Sequence, residues 1–283
     1  NNYKVLEYGA RKMGYKEVHT GNMSINSKSY DGRPECQQIG HCMSGCAIGA
    51  KWSTMYTEVP NAEKTGNYEI RPESMVLRIN HDRSGKVTGV VYADKNGVTH
   101  EQKAKVVCVA GNSIESPRLL LNSESSMFKD GMANSSGQVG RNYMAHLTGA
   151  VYAMMPGEVN LHRGTQMAGI IRDEQKHDPR RGFAAGYELE TLPAFGLWGF
   201  ASYAKPGGWG RQYASDIENY RNVAGLWIVG EDMPQESNRI TLHDTKRDQY
   251  GLPIPSVNYK DHPNDTAMRN HAWEAASDVY KAA

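Results

Sequence analysis

The sequence predicts an α/β (α+β) chain of more than one domain, and three observations carry that reading. The run 105–111, KVVCVAG, is continuously apolar, as in a strand buried on both faces, and it leads through a glycine turn into the helical segment SPRLLLNSE. Residues 126–240 differ in texture. AVYAMM and NVAGLWIVGED read as strands that follow one another without regular crossover helices, which predicts a mostly antiparallel sheet and a second domain. Composition agrees: 29 Gly, 16 Tyr and a hydrophobic fraction of 39% suit a loop-rich enzyme better than a helical bundle.

The elements follow in order. Val5, Leu6, Ala10 and Met13 fall on one face of a helix that Gly14 ends. A polar stretch to Tyr30 reads as loop, and the run from Ala50 starts as a helix that Pro60 breaks. YEIR, MVLRIN, VTGVVYAD, VTHEQ and KVVCVAG form a compact β unit over 68–110, with Asp82-Arg83-Ser84-Gly85 as one turn and Asn96-Gly97 as a hairpin signal. Within 105–111, Cys108 reads as a small buried hydrophobe. Ser116 is a candidate N-cap with Pro117 at the first helical position. A buried strand, a glycine turn and a helix N-terminus together suit the close approach of a cofactor. Phe195, Trp198, Phe200 and Tyr203 are either pocket or core. RITLHD is a further strand, and the tail after Asp261 is a helix with Met268, Ala272, Ala275, Ala276 and Val279 on one broad face.

The length of 283 residues allows one large or two ordinary domains. Lys plus Arg (32) nearly balances Asp plus Glu (31), so no electrostatic footprint for nucleic acid or a membrane surface exists. No run of 18 apolar residues is present to span a bilayer. The chain opens on Asn1-Asn2-Tyr3 and stops inside a helical pattern, which reads as an internal piece of a longer protein.

Chemistry concentrates in residues 33–51, RPECQQIGHCMSGCAIGAK. Cys36, Cys42 and Cys46 are spaced C-x5-C-x3-C and punctuated by Gly40, Gly45 and Gly49. Three thiols on a glycine-rich loop suit an iron–sulfur centre. Zinc, with His41 as fourth ligand, fits the spacing less well, and a disulfide with a spare thiol also stays open.

Four segments resemble the glucose–methanol–choline (GMC) oxidoreductases. AGNSIESPRLLLNS (110–123) is similar to the family's second signature. VGRNYMAH (139–146) is similar to its VGxNxxDH element, with Ala145 in place of Asp. The strand pair MVLRI and VTGVVYAD, and the return segment SNRITLHDTKRDQYGLPIPSVNY (237–259), complete the pattern. The cysteine loop resembles that of the flavoprotein subunits of bacterial gluconate, sorbitol, fructose and glucose dehydrogenases.

The resemblance implies a partial FAD-binding Rossmann-like domain over 1–125 carrying the cysteine loop, a substrate domain over 126–237, and a return to the FAD domain over 238–283. It implies FAD contacts at Val76, Ala110 and Gly111, and a [3Fe–4S] cluster on Cys36, Cys42 and Cys46. The implied activity is dehydrogenation of a sugar, sugar acid or polyol, with electrons passing through the cluster to a c-type cytochrome subunit. A small partner subunit and a periplasmic, membrane-associated location are implied as well. The dinucleotide-binding glycines are missing, and the catalytic His is expected beyond Ala283, so an isolated piece should be inactive. Two other readings are a cluster-free alcohol oxidase of the same family and a non-enzymatic zinc-loop binding module.

Overall fold

The computed structural model describes residues 1–283 apart from Gln166, residues 193–195, Lys205 and the side chains of Trp198, Tyr203 and Ala204. In order run α1 (Asn2–Lys12), β1 (Val18–His19), α2 (Glu58–Glu63), β2 (Met75–His81), β3 (Val87–Ala93), β4 (Thr99–Lys103) and α3 (Asn112–Asn122). Then come β5 (Leu147–Met154), β6 (Ile170–Ile171), β7 (Tyr187–Thr191), α4 (Gly196–Gly199), α5 (Gly210–Glu218), β8 (Val223–Gly230), β9 (Arg239–Arg247), β10 (Pro253–Asn258) and α6 (Pro263–Ala282).

The described residues divide into two compact units. The first comprises Asn1–Tyr68, His146–Asp232 and Pro263–Ala283; the second comprises Glu69–Ala145 and Met233–His262. This grouping follows lines other than the expected boundaries. The segments before and after Tyr68 part company, and α6 joins the sheet of 146–232 rather than the β2–β4 unit.

In the first unit an antiparallel sheet runs β1-β6-β7-β8-β5. α1 and α6 cover one face, burying Leu6, Ala10, Met268, Ala272, Ala276 and Val279 against Tyr187, Leu189, Leu226 and Ile228. The two helices touch through Gly9, where a Cβ would lie 2.0 Å from the Val279 carbonyl oxygen. All five expected positions on α6 are buried. On α1, Leu6 and Ala10 are, but Met13 lies past the helix end and is exposed. Asn1 caps α1 by accepting from the Lys4 N–H, Arg11 and Lys12 suit the negative helix end, and Gly14 turns away with φ +90°. α2 does not end at Pro60 but begins two residues before it. Proline is tolerated in a first turn, where its missing N–H has no helical partner to lose.

In the second unit β2, β3 and β4 form an antiparallel sheet, β9 and β10 form a hairpin, and α3 packs against β2, β9 and β10. The turns are set by aspartates. Asp82 Oδ1 accepts from the Ser84 and Lys86 N–H groups, and Asp94 Oδ1 from those of Asn96 and Val98.

Three sequence expectations fail here. YEIR forms no strand. Residues 105–111 form no strand either: Val106 is 76% exposed, and Cys108 is exposed rather than buried. An apolar run becomes a buried strand only when neighbours take its N–H and C=O groups. Among the described residues, 105–110 make no backbone hydrogen bond. Finally, α3 begins at Asn112 with Gly111 as its cap, so Ser116 and Pro117 lie within it. The Asn112 side chain accepts from the Ile114 and Glu115 N–H groups and supplies the N-terminal capping that Ser116 was expected to give.

Of the aromatic group, Phe195 and the side chains of Trp198 and Tyr203 lie outside the described residues. Phe200 is core, packed with Leu161 and Val223.

Candidate functional site

Val76, Ala110 and Gly111 line a single cleft of about 440 Å³ in the second unit. Its walls are largely apolar, with Leu77, Val90 and Val107 among them. β2 presents Val76 from the sheet, and α3 forms the opposite wall. Ser123 locks the two together by accepting from the Ile79 N–H at 2.9 Å and donating to the Leu119 carbonyl at 2.7 Å.

Arg118 is a cleft residue to which the sequence assigned no role. Its side chain is buried and fully used: Nη2 donates to Asp248 Oδ2 (2.5 Å), Nη1 to Glu115 Oε2 (3.2 Å) and Nε to the Pro253 carbonyl (2.9 Å). Burial pushes the Asp248 carboxyl up, but hydrogen bonds from Arg118 and from the Leu252 and Tyr250 N–H groups outweigh it and hold the carboxyl below its usual range. Arg118 thus pins the β9–β10 hairpin to α3. Both residues lie in segments carrying the family resemblance, so the signal was present without its meaning.

An adenine or flavin ring needs apolar walls and a few polar groups at its edge. The cleft supplies both, because residues 107–110 bring unpaired backbone N–H and C=O groups to its lining. The start of α3 is less available. Gly111 N–H donates to Ser116 Oγ (3.0 Å), and the Asn112 side chain occupies the next donors. A Cβ on Gly111 would meet Glu115 Cβ at 3.3 Å and Ser116 N at 3.4 Å, so what approaches closely there is the helix itself.

The cysteine loop lies in the first unit and is held by its backbone. Cys36 N–H donates to the Asn26 carbonyl, Gly164 N–H to that of Gln38, and Trp52 N–H to that of Ser24. Gly40, at φ +86°, sits so close to the His162 carbonyl oxygen that a Cβ would stand 2.4 Å from it. Cys36, Cys42 and Cys46 are free thiols, each half-buried. Cys36 Sγ accepts from Gln38 N–H (3.3 Å) and Cys46 Sγ from Lys51 N–H (3.4 Å). Burial raises the Cys46 thiol, but the N–H groups of Lys51, Ile48, Ala50 and Gly49 outweigh it and lower the pKa overall.

Thiolates stabilised by N–H groups are the donor type an iron–sulfur centre uses. The loop thus offers the donor chemistry of such a cluster: three free, half-buried thiols on one glycine-punctuated segment. Among the described residues, no three or more of His, Cys, Asp and Glu are grouped to hold a single metal ion. The single-ion site that zinc would need is thus not formed among the described residues, and His41 Nδ1 is at 3.1 Å from Ser44 Oγ.

Comparison with known proteins agrees with the cleft. The chain is 31% identical over 268 residues to 2-methyl-1,2-propanediol dehydrogenase of Mycolicibacterium austroafricanum, covering 92% of this chain and 48% of that protein. It is 30% identical to the fructose dehydrogenase large subunit of Gluconobacter japonicus (83% and 43% covered) and 26% identical to paromamine 6'-oxidase of Streptomyces fradiae (93% and 46%). The chain spans about half the length of the curated relatives it matches. A crystal structure of formate oxidase shares the fold, with a TM-score of 0.62 at 14% identity over 98% of this chain and 52% of that one. A formate oxidase of Aspergillus oryzae studied for its FAD modification gives 0.59 at 16% identity, with the same two shares covered. Residues 1–148 match the family described as GMC oxidoreductase. With over half its length matched and three of its four signature segments lining one cleft, the chain belongs to the GMC oxidoreductase family.

Proposed function

We propose that this chain is part of an FAD-dependent oxidoreductase that oxidises the CH–OH group of an alcohol, polyol or sugar. The observation that carries the reading is the convergence of Val76, Ala110 and Gly111 on one apolar cleft with unpaired backbone groups, in a chain of this family. The relatives' names, for a propanediol, fructose and paromamine, point to hydroxyl-bearing substrates. FAD, when bound, supplies the acceptor for the hydride of the carbinol carbon. The chain's own part is to hold and orient it: Val76, Ala110 and Gly111 line the cleft, and Arg118 with Asp248 fixes the wall opposite β2. The base that takes the hydroxyl proton is not assigned to any residue of this chain.

The test is made on the full-length protein. Anaerobic alcohol or sugar should bleach the visible flavin absorbance, and Gly111→Val, which crowds the start of α3, should lower bound FAD severalfold. Unchanged FAD occupancy in that variant would remove the placement, and a protein isolated with no flavin and no affinity for it would remove the reading.

As a finer part of the proposal, Cys36, Cys42 and Cys46 hold a [3Fe–4S] cluster, with a small subunit and a c-type cytochrome as partners in the periplasm. The dehydrogenase resemblance and the three free thiols support it; the lack, among the described residues, of a group of three that could hold a metal ion favours instead a cluster-free oxidase. No step is therefore routed through iron. Iron content and the electron-spin signal of anaerobically purified protein separate the two, with Cys42→Ser as the control that should lack both.

A further inference from the structure

The five-stranded sheet of the first unit has two faces; α1 and α6 cover one, and α5 reaches one end of the other through Ile217. Tyr187, Leu189 and Thr191 stand opposite Gly230, Ile228 and Leu226 on the face beneath α1 and α6. Glu188 and Glu190 alternate with them and stand opposite Val229 and Trp227 on the second face. At one end of that face Val223 and Tyr152 are packed with Leu161 and Phe200.

The two carboxylates there are not equivalent. Glu188 lies 3.2 Å from the Arg172 guanidinium. The Glu190 carboxyl has no hydrogen bond and no ion pair among the described residues. It is half-buried, with Ile170 on β6 and Trp227 on β8 as its directly opposite neighbours, and Ile170 is only 2% exposed. Burial raises its carboxyl pKa; the charge of Glu188 on the same strand adds to this, and Arg172, just after β6, opposes it. Two apolar neighbours and no partner make this position unfavourable for a carboxyl in the protein alone.

A polyhydroxylated carbon skeleton answers both features together. Its O–H groups donate to the carboxyl oxygens, and its C–H face lies against the electron-rich face of the indole. We propose that Glu190, backed by Trp227, is a specificity-determining residue that accepts a hydrogen bond from a second hydroxyl of a polyol or sugar, distinct from the hydroxyl being oxidised. The inference rests on the oxidoreductase reading and adds to it the part of the substrate that is recognised.

The test uses the full-length, flavin-loaded protein with sorbitol, glucose, fructose and glycerol, each compared with 1-propanol. Glu190→Leu puts an apolar side chain of similar size between Ile170 and Trp227, so thermal stability should be kept or raised. Its kcat/KM for the preferred polyol should nonetheless fall about tenfold or more, since hydrogen bonds to a charged acceptor are the strong ones. Activity with 1-propanol should change less than about twofold, and Glu190→Asp should restore part of the loss. Equal effects on polyol and mono-alcohol, or none on either, overturn the assignment, as does a wild type without preference for polyols; each leaves the oxidoreductase reading standing. A wild type whose flavin no alcohol or sugar bleaches overturns that reading and this inference together.

Discussion

The flavin cleft and the cysteine loop each carry three residues singled out by the sequence; the first three line one cleft, whereas the three thiols belong to no group that could hold a single metal ion among the described residues. Val76 sits on a hydrogen-bonded strand and Gly111 caps a helix, so regular elements carry these two to one place, and Ala110, in a segment without backbone hydrogen bonds of its own, is held beside Gly111. Cys36, Cys42 and Cys46 sit on a loop tied down at its ends and at Gly40, with no ladder between the thiols. Regular elements specify where a side chain goes before any ligand arrives. A loop specifies which side chains are within reach and leaves their convergence to what binds.

The largest effect that separates the two regions should come from Arg118. Arg118→Met leaves Asp248 without its guanidinium, and we expect a loss of about 3–5 kcal/mol in chemical denaturation, as for a broken buried pair. The sign of its pH dependence follows from Asp248, whose carboxyl is held below its usual range. The stabilisation is complete above the ordinary carboxylate pKa of about 4 and is lost as pH falls through the lower folded value. The gap between wild type and variant should therefore narrow on acidification; a constant gap would mean that the ion pair is not its source.

Gly40→Ala should come next. It forces a Cβ toward the His162 carbonyl at positive φ, and a cost of more than about 1 kcal/mol is expected, together with faster hydrogen exchange over residues 36–46. If exchange there is unchanged, the loop is held by something other than that contact. The smallest effect belongs to Cys42→Ser in iron-free protein. Among the described residues no hydrogen bond reaches its Sγ, so stability should stay within about 0.5 kcal/mol of wild type. A larger loss would show that the thiol is already engaged, and would bring the loop closer to the cleft in kind.

The strands MVLRIN, VTGVVYAD and NVAGLWIVGED and the helix after Asp261 were legible because each carries its own periodicity and turn signals. KVVCVAG was misread because an apolar run states an appetite for partners without supplying them. The cleft residues were legible through resemblance alone; nothing in their spacing brings Val76 to Gly111. β7 went unseen although YELET alternates cleanly, being only five residues long. The position of Glu190 could not be read at all. It depends on which face of β7 meets α6, and that is decided by Met268, Ala272 and Val279, some eighty residues away.

The seam between α1 and α6 also bears on the order in which the first unit folds. Gly9 meets Val279, and the Asn2 side chain takes hydrogen bonds from Tyr280 and bridges to Gly225, across separations of more than two hundred residues. α1 thus completes its packing only after α6 has left the ribosome. Until then one face of the sheet stays open to solvent and to other chains. Contacts this distant in sequence form slowly. During synthesis, protease sensitivity of α1 should persist until α6 emerges, and its early loss would show that α1 is sheltered some other way.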